Sequence, residues 1–128
     1  MSEYTIAATK SSPAIDFSPA AGLLRIRGES YPENCSLFYQ PLFERLRGHL
    51  VAAPRCPLLV EMEIVYFNSS SSKAFMDFFD LLDEAAASGT PVSVDWRYHE
   101  ENETAQECGE EFQEDVEHLH FRLVPLSD

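Results

Sequence analysis

Apolar and polar residues alternate in several places along the chain. Leu24 and Ile26 are set against Arg25 and Arg27. Val92, Val94, Trp96 and Tyr98 are set against Ser93, Asp95 and Arg97, and Leu119, Phe121 and Leu123 against His118, His120 and Arg122. A two-residue period belongs to a strand with one buried face. Leu58 to Phe67 forms a longer strand of the same kind, with Leu58, Val60, Met62, Ile64 and Tyr66 opposite Glu61 and Glu63. Ala14 to Phe17 can pair with Leu23 to Arg27 as a hairpin across Ser18-Pro19-Ala20-Ala21-Gly22. Further strands are expected at Val92 to His99 and Leu119 to Val124.

Between the strands the period becomes helical. Phe75, Phe78, Phe79, Leu82 and Ala86 predict an amphipathic helix from Ser71 to Ser88, closed by Gly89 and Pro91. An earlier helix, capped by Asn34 and running to about Leu50, would bury Phe38, Leu42 and Leu46. Pro41 should kink it or mark its true start. Gly28 to Asn34 is expected as a loop, Ala52 to Pro57 as a turn, and the stretch up to Ser12 as loose chain. Glu100 to Glu117 fits either loop or helix, since Gly109 interrupts a very polar segment.

Strand 58–67, helix 71–88 and strand 92–99 compose a βαβ unit, so those two strands should be parallel. Every strand has one polar face, which leaves only the other for helices. The expected fold is therefore α/β: one domain over residues 1–128, a two-layer sandwich with a mixed sheet and helices on one face. On the wet face Glu61, Glu63 and Asp95 would meet Arg25, Arg27, Arg97 and Arg122 in a cross-strand charge lattice. Exposed pairs contribute little, so the lattice suits solubility and register better than function.

Charge narrows the partners. The 128 residues carry a formal net charge of −13, which argues against nucleic acid and anionic membrane surfaces. Partners should be proteins with basic contact surfaces. No apolar run has the length of a membrane span, and Met1 to Lys10 lacks the apolar core of a signal peptide. Cys35, Cys56 and Cys108, an odd and unpaired set, fit reduced thiols in a cytoplasm. His118 and His120 lack the accompanying ligands of a zinc site, and neither a metal nor a cofactor is expected. In the second helix Asp77, Asp80 and Glu84 lie opposite the apolar stripe. Glu100 to Glu117 contains nine carboxylates and no Lys or Arg, which makes it either a solvated surface or a docking patch for a basic partner.

The candidate chemistry lies in Tyr66-Phe67-Asn68-Ser69-Ser70-Ser71-Ser72-Lys73, where a strand ends and a helix begins. A helix start favours anions through its unpaired N–H groups and its dipole, and Lys73 adds a positive charge. Three readings fit: a plain cap by Asn68 or Ser69, phosphorylation of a serine, or binding of an external phosphate. The glycines of a P-loop and the Gly-x-Ser-x-Gly elbow of a catalytic serine are missing.

Four blocks resemble the SiaC-type regulatory phosphoproteins, bacterial partner-switching adaptors. They are Thr9-Lys10-Ser11-Ser12-Pro13-Ala14-Ile15; Gly28-Glu29-Ser30-Tyr31-Pro32-Glu33-Asn34 with Phe38-Tyr39-x-Pro41; Asn68-Ser69-Ser70-Ser71-Ser72-Lys73 with its preceding Tyr66-Phe67; and Trp96-Arg97-Tyr98 leading into the acidic stretch. The resemblance implies a non-enzymatic protein with a fold similar to anti-sigma-factor antagonists. It implies phosphorylation of the hydroxyl after Asn68 by a histidine-kinase-like Ser/Thr protein kinase, and reversal by a PP2C-type phosphatase. It also implies that the unphosphorylated form binds and activates an effector such as a diguanylate cyclase, in cyclic di-GMP and biofilm control. The family most often has Thr at this position and this chain has Ser69, with Ser70 as the alternative site. Asn68, Ser71, Ser72, Lys73, Tyr31, Pro32, Glu33 and Asn34 would compose the switch loop and partner-binding surface. Two other functions remain open to the residues alone: a constitutive acidic interaction module, or a small hydrolase using Glu29 or Glu33 as base.

Overall fold

The computed structural model describes residues 3–127. Met1, Ser2 and Asp128, the ends of the expected domain, lie outside the described residues. The elements are β1 (Tyr4–Ile6), β2 (Ala14–Ser18), β3 (Leu23–Ser30), α1 (Cys35–Ala52), β4 (Leu58–Phe67), α2 (Ser69–Ala87), β5 (Val92–His99), α3 (Glu103–Asp115) and β6 (His120–Leu126). Six strands form one sheet in the order β1-β2-β3-β4-β5-β6. The first two pairings are antiparallel and β3 to β6 run parallel. The expected mixed α/β sheet with helices on one face is the observed one.

Strand order follows chain order, so each parallel step β3-α1-β4, β4-α2-β5 and β5-α3-β6 lays one helix over the sheet. The buried face carries Leu24, Ile26, Val60, Met62, Ile64, Val94, Trp96 and Phe121. Phe75 and Phe79 of α2 and Phe112 of α3 close on Trp96 from above, with ring centroids 5.3–6.5 Å away. The opposite face is the charge lattice anticipated from alternation. Arg25 Nε donates to Glu61 at 2.9 Å and Arg97 to the same carboxylate at 3.1 Å. Arg122 forms a two-pronged pair with Asp95 at 2.7 and 2.8 Å. The Arg25 hydrogen bond holds the Glu61 carboxyl below its ordinary pKa.

Five expectations need correction. Tyr66 does not share the buried side of Leu58, Val60, Met62 and Ile64; it is exposed, with the Tyr31 ring edge-on against it. The N-terminal stretch is not wholly loose, because Tyr4–Ile6 adds an edge strand and Arg45 of α1 packs over the Tyr4 ring at 4.6 Å. Residues 28–30 belong to β3 rather than to a loop; Gly28 takes φ 130 at a register shift, and a side chain there would press on Pro13. Helix α1 buries Tyr39 rather than Phe38 and begins at Cys35, so Pro41 lies inside it. Pro41 removes a donor to the carbonyl of Leu37, which is exposed, so water can take that bond. Strand β6 begins at His120, so His118 and His120 do not both belong to a strand.

The ambiguous acidic segment is helix α3. Asn102 caps it, its side chain accepting from the Ala105 N–H at 3.1 Å. Gly109 is a packing residue: a Cβ there would meet the Trp96 indole and the Leu123 side chain. The α3–β6 connection is tied down by Asp83 of α2, whose carboxylate accepts N–H bonds from Glu117, His118 and Leu119 at 2.8–3.1 Å. Partial burial opposes the charge, but the three donors outweigh it and hold the Asp83 pKa below its ordinary value.

Two outcomes follow. Gly to Ala in an open helix gains about 1 kcal/mol, but Gly109→Ala should lose about 1–3 kcal/mol by overpacking against Trp96, measured by urea unfolding. For Asp83 the folded pKa lies below the unfolded one. Its stabilisation is therefore complete above the ordinary carboxylate range and is lost as pH falls through the folded value. Asp83→Asn should be less stable at neutral pH and show a shallower loss of stability below about pH 4. An acid limb superimposed on that of the wild type would show that the carboxylate is not carrying the tether.

Candidate functional site

Each of the parallel strands β3, β4 and β5 is followed by a helix, so the three helix starts gather at one edge of the sheet. Asparagine caps all three: Asn34 Oδ1 accepts from Leu37, Asn68 Oδ1 from Ser71, and Asn102 Oδ1 from Ala105. Asn102 also donates to the Val65 carbonyl at 3.1 Å, joining the α3 cap to the end of β4. The start of α2 lies between the other two.

Successive residues on a helix turn by about 100°, so four consecutive serines face four ways. Ser71 shares the phase of Phe75, Phe78 and Leu82 and is fully buried. Ser70 turns toward α1 and lines a groove of about 540 Å³ with Glu33, Asn34, Tyr39, Phe43, Arg47, Lys73 and Asp77. Ser72 is half-buried on the α3 side, one turn before Met76. Ser69, the first residue of the helix, is exposed on its outer crest. Helix phase thus separates hydroxyls that are adjacent in sequence.

Ser71 belongs to a buried hydroxyl chain beneath the start of α2. Its Oγ donates to the Ser30 carbonyl at 2.8 Å and lies 2.7 Å from Ser30 Oγ, which in turn lies 2.6 Å from the Tyr39 hydroxyl. Each hydroxyl has one proton, so the Ser71 donation fixes the rest: Tyr39 donates to Ser30 Oγ, and Ser30 Oγ donates to Ser71 Oγ. Burial pushes the Tyr39 phenol well above its ordinary pKa and keeps it neutral. The Ser30 carbonyl also accepts from the Asn68 N–H at 3.1 Å. The end of β3, the middle of α1 and the start of α2 meet at this point. Ser71 was expected among the partner-facing residues, but its side chain does not reach the surface because it caps this network.

The loop 31–34 stands beside the start of α2. Tyr31 and Pro32 are half-buried, while Glu33 and Asn34 are exposed. The Tyr31 ring packs edge-on against Tyr66 at 5.8 Å, and its N–H donates to the Ser11 carbonyl at 2.7 Å. The Thr9–Ser12 turn behind it is closed by a 2.6 Å contact between the two side-chain oxygens. The N-terminal block therefore supports the loop. The hydroxyl network was not anticipated, although Ser71 standing four and seven residues before Phe75 and Phe78 was a signal for its inward turn. Glu29 and Glu33, the residues of the hydrolase reading, are both exposed. No group of three or more His, Cys, Asp or Glu among the described residues is placed to hold a metal ion.

Known proteins resemble this chain over nearly its whole length. The SiaC family regulatory phosphoprotein model matches residues 6–126. An uncharacterized protein of Pseudomonas aeruginosa (strain UCBPP-PA14) is 42% identical over 115 residues, 90% of each chain. The crystal structure of apo-SiaC from Pseudomonas aeruginosa superposes with TM-score 0.87 at 38% identity, covering 97% of this chain and 99% of that one. A structure of the diguanylate cyclase SiaD in complex with its activator SiaC, from the same organism, gives TM-score 0.90 at 38% identity, over 96% of this chain and 99% of that one.

The different settings of the serines have a stability consequence. Ser71→Ala should cost about 1–3 kcal/mol, because it leaves buried partners of the network unpaired. Ser69→Ala should stay within about 0.5 kcal/mol of the wild type. Urea unfolding of the two variants checks this, and equal losses would mean that the network does not anchor the helix start.

Proposed function

Because the chain belongs to the SiaC family of regulatory phosphoproteins, we propose that it is a non-enzymatic signalling adaptor whose output is set by reversible phosphorylation of Ser69. The observation that carries this reading is the position of Ser69: exposed, first in α2, and directly after the capping Asn68. A histidine-kinase-like Ser/Thr protein kinase adds the phosphate and a PP2C-type phosphatase removes it. The unphosphorylated form binds and activates a diguanylate cyclase in the cytoplasm, as the SiaD complex of the relative suggests. Ser70 is the second choice, since it is also exposed but turns into the α1–α2 groove.

The mechanism is local electrostatics read by a partner. A phosphate on Ser69 brings roughly −1.5 to −2 charges to a helix N-terminus, which accommodates them. Asn68 keeps its cap on the Ser71 N–H and Ser71 keeps its buried bonds, so the fold holds in both states. What changes is the surface around Asn68, Ser69, Ser72 and Lys73, flanked by Tyr31, Pro32, Glu33 and Asn34. An effector that covers the bare hydroxyl would have to desolvate a dianion instead, which is costly.

Phosphosite mapping by mass spectrometry on protein from its native cells tests the modification, and calorimetric titration against the diguanylate cyclase tests the switch. Phosphate should be found on Ser69. Ser69→Ala should bind like the unphosphorylated wild type, and Ser69→Asp should bind at least roughly tenfold more weakly, about 1.4 kcal/mol. Equal affinity of both variants for a cyclase that binds the wild type would falsify the switch.

A further inference from the structure

The helical side of the molecule contains a second surface feature, separate from the switch serines. Between α2 and α3 lies a groove of about 320 Å³ lined by Met76, Phe79, Phe112 and Val116, with Asp80 and Asp115 at its rims. The Phe79 and Phe112 rings, 5.1 Å apart, make its floor. Met76 is 46% exposed on the wall, on the side of α2 away from its core positions. Methionine is a flexible, polarisable side chain and suits an adaptable contact.

The surroundings of the groove carry one sign of charge. On the outer side of α3 stand Glu103, Glu107, Glu110, Glu111 and Glu114, and no Lys or Arg occurs from Glu100 to Glu117. On α2 the exposed Asp77, Asp80 and Glu84 continue the field. Like charges four residues apart destabilise a helix, and α3 contains them at 103/107, 107/111, 110/114 and 111/115. The open sheet face does not share the excess. Its Arg25, Arg27, Arg97 and Arg122 are matched by Asp16, Glu61, Glu63 and Asp95, which leaves the net charge of −13 to the rest of the chain.

The geometry points to this groove as a docking site for a basic amphipathic helix of a partner protein. The apolar stripe of such a helix fills the space over Met76, Phe79, Phe112 and Val116. Its flanking Lys and Arg side chains meet Asp80, Asp115 and the α3 glutamates. A channel between two helices takes a third through anchors spaced at i, i+3, i+4 and i+7, and charge complementarity fixes its sign. This surface does not depend on the phosphoswitch. Met76 lies two turns beyond Ser69 on the same crest, so a docked helix would extend toward the switch hydroxyl.

The test uses the full chain, isotope-labelled, and a synthetic peptide of roughly five helical turns with Leu on one stripe and Lys elsewhere. A scrambled peptide of the same composition is the control. Chemical shifts should move around Met76, Phe112 and Val116, and the scrambled peptide should bind more weakly. Met76→Glu is the decisive variant. It adds a negative charge, so attraction without a groove would be unchanged or stronger, whereas groove docking should weaken roughly tenfold or more. Circular dichroism of that variant, altered at an exposed position, confirms that it is folded. Asp80→Lys with Asp115→Lys should also weaken binding. Absence of binding, shifts spread evenly over the acidic surface, or Met76→Glu binding as tightly as the wild type would each overturn the proposal.

Discussion

The carbonyl oxygen of Ser30 ends β3 and accepts two hydrogen bonds from the next crossover, one from the Asn68 N–H and one from the Ser71 hydroxyl. Those bonds set where α2 begins and how it is rotated. Rotation decides everything downstream: it aims Phe75 and Phe78 at the core and leaves Ser69 on the crest. Parallel pairing supplies the other half of the constraint. Because β3, β4 and β5 run the same way, each following helix must start at one edge of the sheet. Three capped helix starts, with their shared preference for anions, therefore meet in one small area without any residue having been placed there for chemistry alone.

The two faces of the sheet divide the electrostatics. The open face neutralises itself across the strands through Arg25–Glu61, Arg97–Glu61 and Arg122–Asp95. These pairs are partly exposed, and their contribution is to register and solubility rather than to large stabilisation. The helical face is left with an unbalanced negative field. Its carboxylates gather where α2 and α3 present them around apolar groups. Steering and local recognition then act at the same place.

Much of this was readable from pattern. The strand alternation gave both faces of the sheet and the ion-pair lattice as far as Ile64, because a two-residue period leaves little freedom once one face is buried; beyond it the pattern breaks and Tyr66 is exposed. The cap at Asn34 was legible from residue type and position, and the cap of α2 was narrowed to Asn68 or Ser69. Helix α3 stayed open between loop and helix because its buried side consists of Ala105, Cys108, Gly109 and Phe112, three of them small and weakly apolar. Their helical spacing was present, but the close approach of Gly109 to Trp96 that gives it meaning is a tertiary fact. Tyr39 displaced Phe38 from the core for a similar reason, since its hydroxyl finds Ser30, a partner nine positions away in the chain and invisible to local periodicity. Strand β1 is three residues long and shows no pattern of its own.

The serine run shows why composition alone misreads such a segment. Four hydroxyls in a row look interchangeable, yet the helix gives each a different environment. Ser71 makes the buried hydrogen bonds and Ser69 stands exposed, so a modification at Ser69 would leave the buried bonds of its neighbour intact. Reversible signalling needs that separation. A phosphate that disturbed the Ser30–Ser71 chain would change folding stability together with recognition, and both forms could not persist at similar abundance. At the first helical position a phosphate would meet unpaired N–H groups and a favourable dipole. The folded state can then hold either form, and the difference between them is left to whichever surface covers Ser69.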